Sequence, residues 1–181
     1  MTEIELVGID ADDTLWQSET FFAEVEEKFI ELMSKYSSDT GLEESLSSNE
    51  ITNLRVFGYG VKSFTLSMIE TAHLASGGNI ASSDIKQIIS WGKELLQHPV
   101  ILLDGVEEAI RELASDFTVY IITKGDLLHQ RSKIEDSGLD KLVSGFDIFH
   151  EKDPESYLDF LTEKNVDPKN FLMAGNSLRS D

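Results

Sequence analysis

The chain has 181 residues, room for one ordinary domain or for one domain carrying a smaller insert, and its 40% apolar content suffices for a buried core. Its 34 acidic and 15 basic residues leave a net charge of -19, a field that repels nucleic acid and anionic membrane surfaces and argues against both as partners. With no cysteine, disulfides, thiolate catalysis and cysteine-held metal are excluded; no stretch approaches the roughly 18 apolar residues of a membrane span, and an N-terminus without a signal peptide's basic start points to a cytoplasmic protein.

Residues 4–9 (IELVGI) read as a short buried strand ending at Asp10. After a turn, Ser18 is a candidate N-cap. The segment that follows is strongly helical, with Phe22, Val25, Phe29, Leu32 and Tyr36 spaced along one face. A polar stretch from Ser37 to Ser48 breaks it. A weaker helix is predicted over about 43–57 and another over about 62–75. Between them, Gly58-Tyr59-Gly60 is either an interhelical linker or a loop that touches substrate together with Arg55 or Lys62. Ser83 is placed as the cap of a further helix that His98-Pro99 closes.

Residues 18–98 therefore read as all-helical, and from about 100 the texture changes. Asp104 is a candidate cap for a helix over Val106 to Leu113. Thr118 to Ile122 is a β-branched strand ending at Thr123. Asp126 caps a helix through Ile134, 146–149 is a strand, Asp153-Pro154 opens a helix, and 171–174 is a last strand. Strands alternating with helices predict an α/β fold: a doubly wound, Rossmann-like parallel sheet with an inserted all-helical cap domain. The expected boundaries are 1–17 and 99–181 for the α/β core and 18–98 for the cap.

Ligands of such sheets bind beyond the carboxyl ends of the strands. The strand ends here carry Asp10-Ala11-Asp12-Asp13-Thr14, then Thr123-Lys124-Gly125-Asp126, then Glu151-Lys152-Asp153, then Gly175-Asn176-Ser177 with Asp181 close behind. A carboxylate such as Asp10 can attack phosphorus and split a difficult hydrolysis into two easier steps. A second acid, Asp12, can protonate the leaving oxygen and then activate water. Magnesium needs hard oxygen ligands and is satisfied by one or two carboxylates plus phosphate. Thr123 and the backbone N–H groups of Lys124 and Gly125 are candidates for holding phosphoryl oxygens, and Lys152 for neutralising their charge. Alone, each residue has an ordinary reading: Asp10 and Asp12 as caps, Thr123 as a strand end, Lys152 as a solvated lysine. Trp16 is either packing or a pocket wall. The four histidines show no ligand spacing.

Asp10-Ala11-Asp12-Asp13-Thr14-Leu15 resembles the first motif of the haloacid dehalogenase (HAD) superfamily. Thr123 is similar to its second motif, Lys152 with Pro154 to its third, and Gly175 through Asp181 to its fourth. The resemblance spans essentially the whole chain, and the helical insert looks like the family's C1-type cap. It implies Asp10 as nucleophile and metal ligand, and Asp12 as general acid/base that ligates through its backbone carbonyl. Thr123 and Lys152 would bind phosphate, and Asn176 and Asp181 would complete a Mg2+ site, with Asn176 standing where the family often has aspartate. An acid at position 12 points to the phosphatase branch, since the true dehalogenases lack it. The family pattern normally continues with another strand and helix beyond Asp181. The expected activity is magnesium-dependent hydrolysis of a small-molecule phosphate monoester after the cap closes. The alternatives are a phosphotransferase or mutase using the same aspartyl phosphate, or a non-catalytic phospho-acceptor.

Overall fold

The computed structural model describes residues 3–37 and 41–181. Its elements run β1 (Leu6–Ile9), α1 (Glu19–Met33), α2 (Leu42–Phe57), α3 (Val61–Ala75), α4 (Ser82–Leu96), α5 (Val106–Asp116), β2 (Thr118–Lys124), α6 (Leu127–Ser137), β3 (Gly145–Phe149), α7 (Pro154–Lys164) and β4 (Phe171–Ala174). The chain divides into two compact units: one holds the chain up to Ser18 together with Pro99–Asp181, the other holds Glu19–His98.

The described part of the second unit is made of helices α1 to α4. The periodic stripe on α1 buries Val25, Phe29 and Met33 against Leu46, Met68, Ala72, Ile88 and Leu95 of the other three helices. Buried polar side chains lie between α2 and α3, where Asn53 donates to Ser67 at 3.1 Å and to Glu70 at 2.9 Å. Of the polar stretch expected at 37–48, residues 38–40 lie outside the described residues, and α2 is helical from Leu42. Ser83 is not a cap. Helix α4 starts one residue earlier, and its N-cap is Ala81, whose carbonyl receives the N–H groups of Asp84 and Ile85.

The α/β unit is built on a four-stranded parallel sheet in the order β3-β2-β1-β4. Alternating residues of its short strands enter two different cores. Val7, Ile9, Val119 and Ile121 pack with Ile110 of α5 and Ile134 of α6. Leu6 and Ile122 pack instead with Phe149 and with Phe160 and Leu161 of α7. Period-two alternation thus places α5 and α6 on one face and α7 on the other, as a doubly wound sheet requires. The register pairs Ile9 with Ile121 on one side and with Ala174 on the other, so β1 and β4 finish level, while β2 runs three residues further, to Lys124, beside β3.

Asp126 and Asp153 cap α6 and α7 as expected, each accepting a backbone N–H three residues on, from His129 at 3.0 Å and Ser156 at 2.8 Å. Two expectations fail locally. The N-cap of α5 is Gly105, not Asp104: the chain enters that helix at φ 79°, a left-handed angle that glycine adopts without steric cost. Strand β2 continues through Thr123 to Lys124, because its pairing with Ile148 and Phe149 of β3 extends that far. Among the described residues, no helix is long and apolar enough to cross a membrane.

Candidate active site

Asp10 follows β1 directly and donates its backbone N–H to the Ala174 carbonyl at 2.9 Å, so the last rung of the sheet fixes its position. The chain then turns sharply. Leu15 N–H returns to the Ala11 carbonyl at 2.8 Å, and Asp13 adopts φ 60° with its N–H on the Trp16 carbonyl at 2.8 Å. Asp13 also accepts the Ser18 N–H at 2.9 Å. Bridges of Trp16 to Asp12 and to Leu102 hold the turn against the segment that follows Pro99.

Asp10 is 8% exposed, and its carboxylate pairs with the equally buried ammonium of Lys152. The same Lys152 Nζ reaches Asp181 Oδ1 at 2.6 Å. One cation therefore bridges carboxylates from opposite ends of the chain. Asp181 is held in turn by the Ser177 N–H, 3.0 Å from its Oδ2. Gly175 lies against both acids. A Cβ there would stand 2.3 Å from Asp181 Oδ2 and 2.8 Å from Asp10 Cβ, so only glycine lets them approach. The Thr14 hydroxyl lies 3.1 Å from Asp10 Oδ2 and 3.4 Å from Asn176 Oδ1, which brings the Asn176 amide to the same place. Burial raises the pKa of Asp10, with the Asp181 charge adding to it, against the opposing pull of Lys152.

Asp12 lies in different surroundings. Its Oδ1 accepts the Trp16 indole N–H at 2.7 Å and pairs with Lys133 Nζ, while its Oδ2 accepts Gln130 Nε2 at 2.7 Å. Burial would raise its pKa. The Lys133 charge, together with hydrogen bonds from Lys133, Gln130 and Trp16, outweighs that and holds it below the usual 3.8. Trp16 is fully buried in the core that covers the α5–α6 face, so it packs and donates at once.

At the end of β2, Thr123 is buried at 2% exposure. The Lys124 side chain pairs with Glu151 at 2.7 Å, so its amine is engaged across the β3 end. Gly125 takes φ 141°, an angle outside the range that side chains favour, and passes close over Gln130. Oxygen donors that could hold a metal are the carboxylates of Asp10 and Asp181 and the amide oxygen of Asn176. Among the described residues, no three acidic or histidine side chains are grouped so that they alone could hold a metal ion. Two carboxylates and a neutral oxygen still suit a small hard cation that keeps part of its own water.

A model of the haloacid dehalogenase-like hydrolase family matches residues 4–181. The chain belongs to that family. A haloacid dehalogenase-like family hydrolase from Xanthomonas campestris is 46% identical, with a TM-score of 0.93 over 98% of this chain and 75% of that one. Two more distant structures share the fold. YfnB from Bacillus subtilis, bound to magnesium, is 18% identical with a TM-score of 0.66, covering 99% of this chain and 81% of that one. A 2-haloacid dehalogenase from Pseudomonas syringae pv. Tomato DC3000 is 18% identical with a TM-score of 0.63, covering 96% and 78%. No curated protein matches the chain.

Within this HAD hydrolase, Asp10, Lys152, Asp181, Asn176 and Thr14 meet at one place. Asp12 does not join them by its carboxylate: among the described residues, its partners and those of Asp10 do not overlap. The sequence reading missed Gln130 and Lys133, and gave Glu151 no role. The signal for the first two lay in α6, where Gln130 and Lys133 fall on the stripe of buried Ile134 at i, i+3 and i+4 spacing. Polar residues on a buried stripe need a partner inside.

Proposed function

We propose that this hydrolase cleaves small-molecule phosphate monoesters with Mg2+ through an aspartyl phosphate on Asp10. The fold does not choose the leaving group, since a dehalogenase shares it. Asp12 carries the choice. A halide departs without a proton, whereas an alkoxide needs one, and this chain keeps a second carboxylate two residues after the first with its own set of hydrogen-bond donors.

In the first step an Asp10 oxygen attacks phosphorus, the bond to the ester oxygen breaks, and Asp12 gives its proton to the departing alkoxide. In the second step water attacks the same phosphorus, Asp12 takes its proton, and Asp10 is released with inorganic phosphate. The ionised form that Lys133 favours is the form the second step needs, and the proton Asp12 then takes from water is the one it delivers to the leaving group of the next turnover. Lys152 offsets the charge shared by Asp10 and the phosphoryl group, and Thr123 with the Lys124 and Gly125 N–H groups holds the phosphoryl oxygens. Asp10, the Asp12 carbonyl, Asn176 and Asp181 would hold the magnesium ion, which supplies further positive charge to those oxygens. The test is phosphate release from p-nitrophenyl phosphate. We expect activity that needs Mg2+, stops with EDTA and is lost in Asp10→Asn. Full activity in Asp10→Asn would sink the reading.

A further inference from the structure

We propose that Gln130 and Lys133 of α6, closing on Asp12 together with Trp16, are positioning residues that aim one oxygen of Asp12, Oδ2, at the transferred proton. The proposal rests on the acid/base reading of Asp12.

A carboxylate has two oxygens with about two acceptor sites each. Oδ1 of Asp12 is filled, by the Trp16 indole N–H at 2.7 Å and by the Lys133 ammonium. Oδ2 receives a single donor among the described residues, Gln130 Nε2 at 2.7 Å. One acceptor site therefore stays open, and it is on Oδ2. That is where a proton can reside and from which it can be delivered.

Gln130 is built for this task rather than for packing. Its Nε2 donates to Asp12 and also to the Lys124 carbonyl at 2.9 Å. Both neighbours are acceptors, so the amide cannot be flipped without losing both bonds. Its Oε1 is buried and has no partner among the described residues. A core glutamine with an unused acceptor is costly, and the cost is accepted at a place where both donors are needed. The same side chain ties the turn after β1 to the end of β2, and Gly125 bends closely past it. Lys133 is equally committed: its side chain is 13% exposed, and its ammonium lies 5.8 Å from the centre of the Trp16 ring. A solvated helix lysine would satisfy neither observation.

The leaving group separates positioning from a general structural role. Nitrophenolate departs from phosphorus with little help, whereas phenolate depends more on the acid. The measurement is kcat/KM with Mg2+ for p-nitrophenyl phosphate and phenyl phosphate, a parameter that ends with departure of the leaving group. For Lys133→Met and Gln130→Met we expect phenyl phosphate to lose about tenfold or more, and p-nitrophenyl phosphate to lose less than about threefold. Lys133→Arg, which keeps the charge, should recover most of the loss. Melting temperatures are taken in parallel. An equal fall for both esters, or none for either, overturns the proposal. If Lys133→Met does not fold, Gln130→Met decides alone, because it leaves the ion pair intact. Asp12→Asn separates the two levels. If that variant hydrolyses phenyl phosphate as well as the parent, the acid/base reading falls and takes the proposal with it. If it is inactive while the α6 variants match the parent, only the positioning proposal falls.

Discussion

Asp10 and Asp12 stand two residues apart on one tight turn, yet the protein treats them in opposite ways. Asp10 shares a single lysine with a second carboxylate, Asp181, beyond the carboxyl ends of the strands. Positive charge there is short: one ammonium faces two acids, and burial raises the Asp10 pKa. Asp12 has a lysine to itself, plus an indole and an amide N–H, and its pKa is lowered. The contrast teaches that adjacency in sequence does not set a carboxylate's chemistry; the count of donors around it does. A cluster with too little positive charge invites a cation, while one with its donors in place holds its acid ready-aligned.

The Asp10 side of the comparison breaks most easily at Lys152. In Lys152→Met, two buried carboxylates lose their common cation. Removing one partner of a buried ion pair costs roughly 3–5 kcal/mol. We expect a loss of that order in urea unfolding with EDTA present, and a substantial part of it to return when Mg2+ is added, because the ion replaces the missing charge. Equal stability of parent and variant in EDTA would show that Lys152 is not the charge holding the two acids together.

A smaller effect is expected from Gly175→Ala, which adds no charge but inserts a methyl where Asp181 and Asp10 already meet. Overpacking of this kind costs about 1–3 kcal/mol. It should weaken the stabilisation by Mg2+ while leaving the Asp12 cluster, and hence the indole environment of Trp16, unchanged. Near-ultraviolet circular dichroism and magnesium-dependent melting read the two sides separately. A change confined to the Trp16 signal would reverse the assignment.

Much of this was legible in the sequence where the cause is local. Asp126 and Asp153-Pro154 announce their helices because a cap acts within three residues. The strand ends at Ile9 and Ala174 follow from short apolar runs, closed by Asp10 and by Gly175-Asn176. Asp104 misled because a good capping residue stood next to Gly105, and the backbone angle chose the glycine. β2 outran its expected end because pairing with β3, a contact distant in sequence, lengthened it. Gln130 and Lys133 look like ordinary polar residues of α6 until the helix is laid against the turn after β1. Their role is tertiary, and only the buried stripe they share with Ile134 hinted at it. Likewise nothing local shows that Lys152 would serve two acids at once.

The smallest expected effect is the most diagnostic, because its sign differs between the two aspartates. Asp12 has a lowered pKa, so its ionisation stabilises the fold above the unfolded value of 3.8, and that contribution is lost as pH falls through the lower folded value. Asp12→Asn should therefore trail the parent near neutrality, and the gap should narrow as the solution is acidified below about pH 4. Asp10 has a raised pKa, so the folded parent holds its proton more tightly and loses stability as pH rises from 3.8 through the folded value. Asp10→Asn escapes that loss and should gain on the parent over the same rise. Urea unfolding of the parent and both variants, in EDTA and across about pH 3 to 7, gives the two difference curves. Opposite slopes would bear out the contrast between the clusters. Parallel slopes would mean that folding shifts both carboxylates in the same direction, and the division of labour between nucleophile and acid/base would then have no electrostatic basis in the free protein.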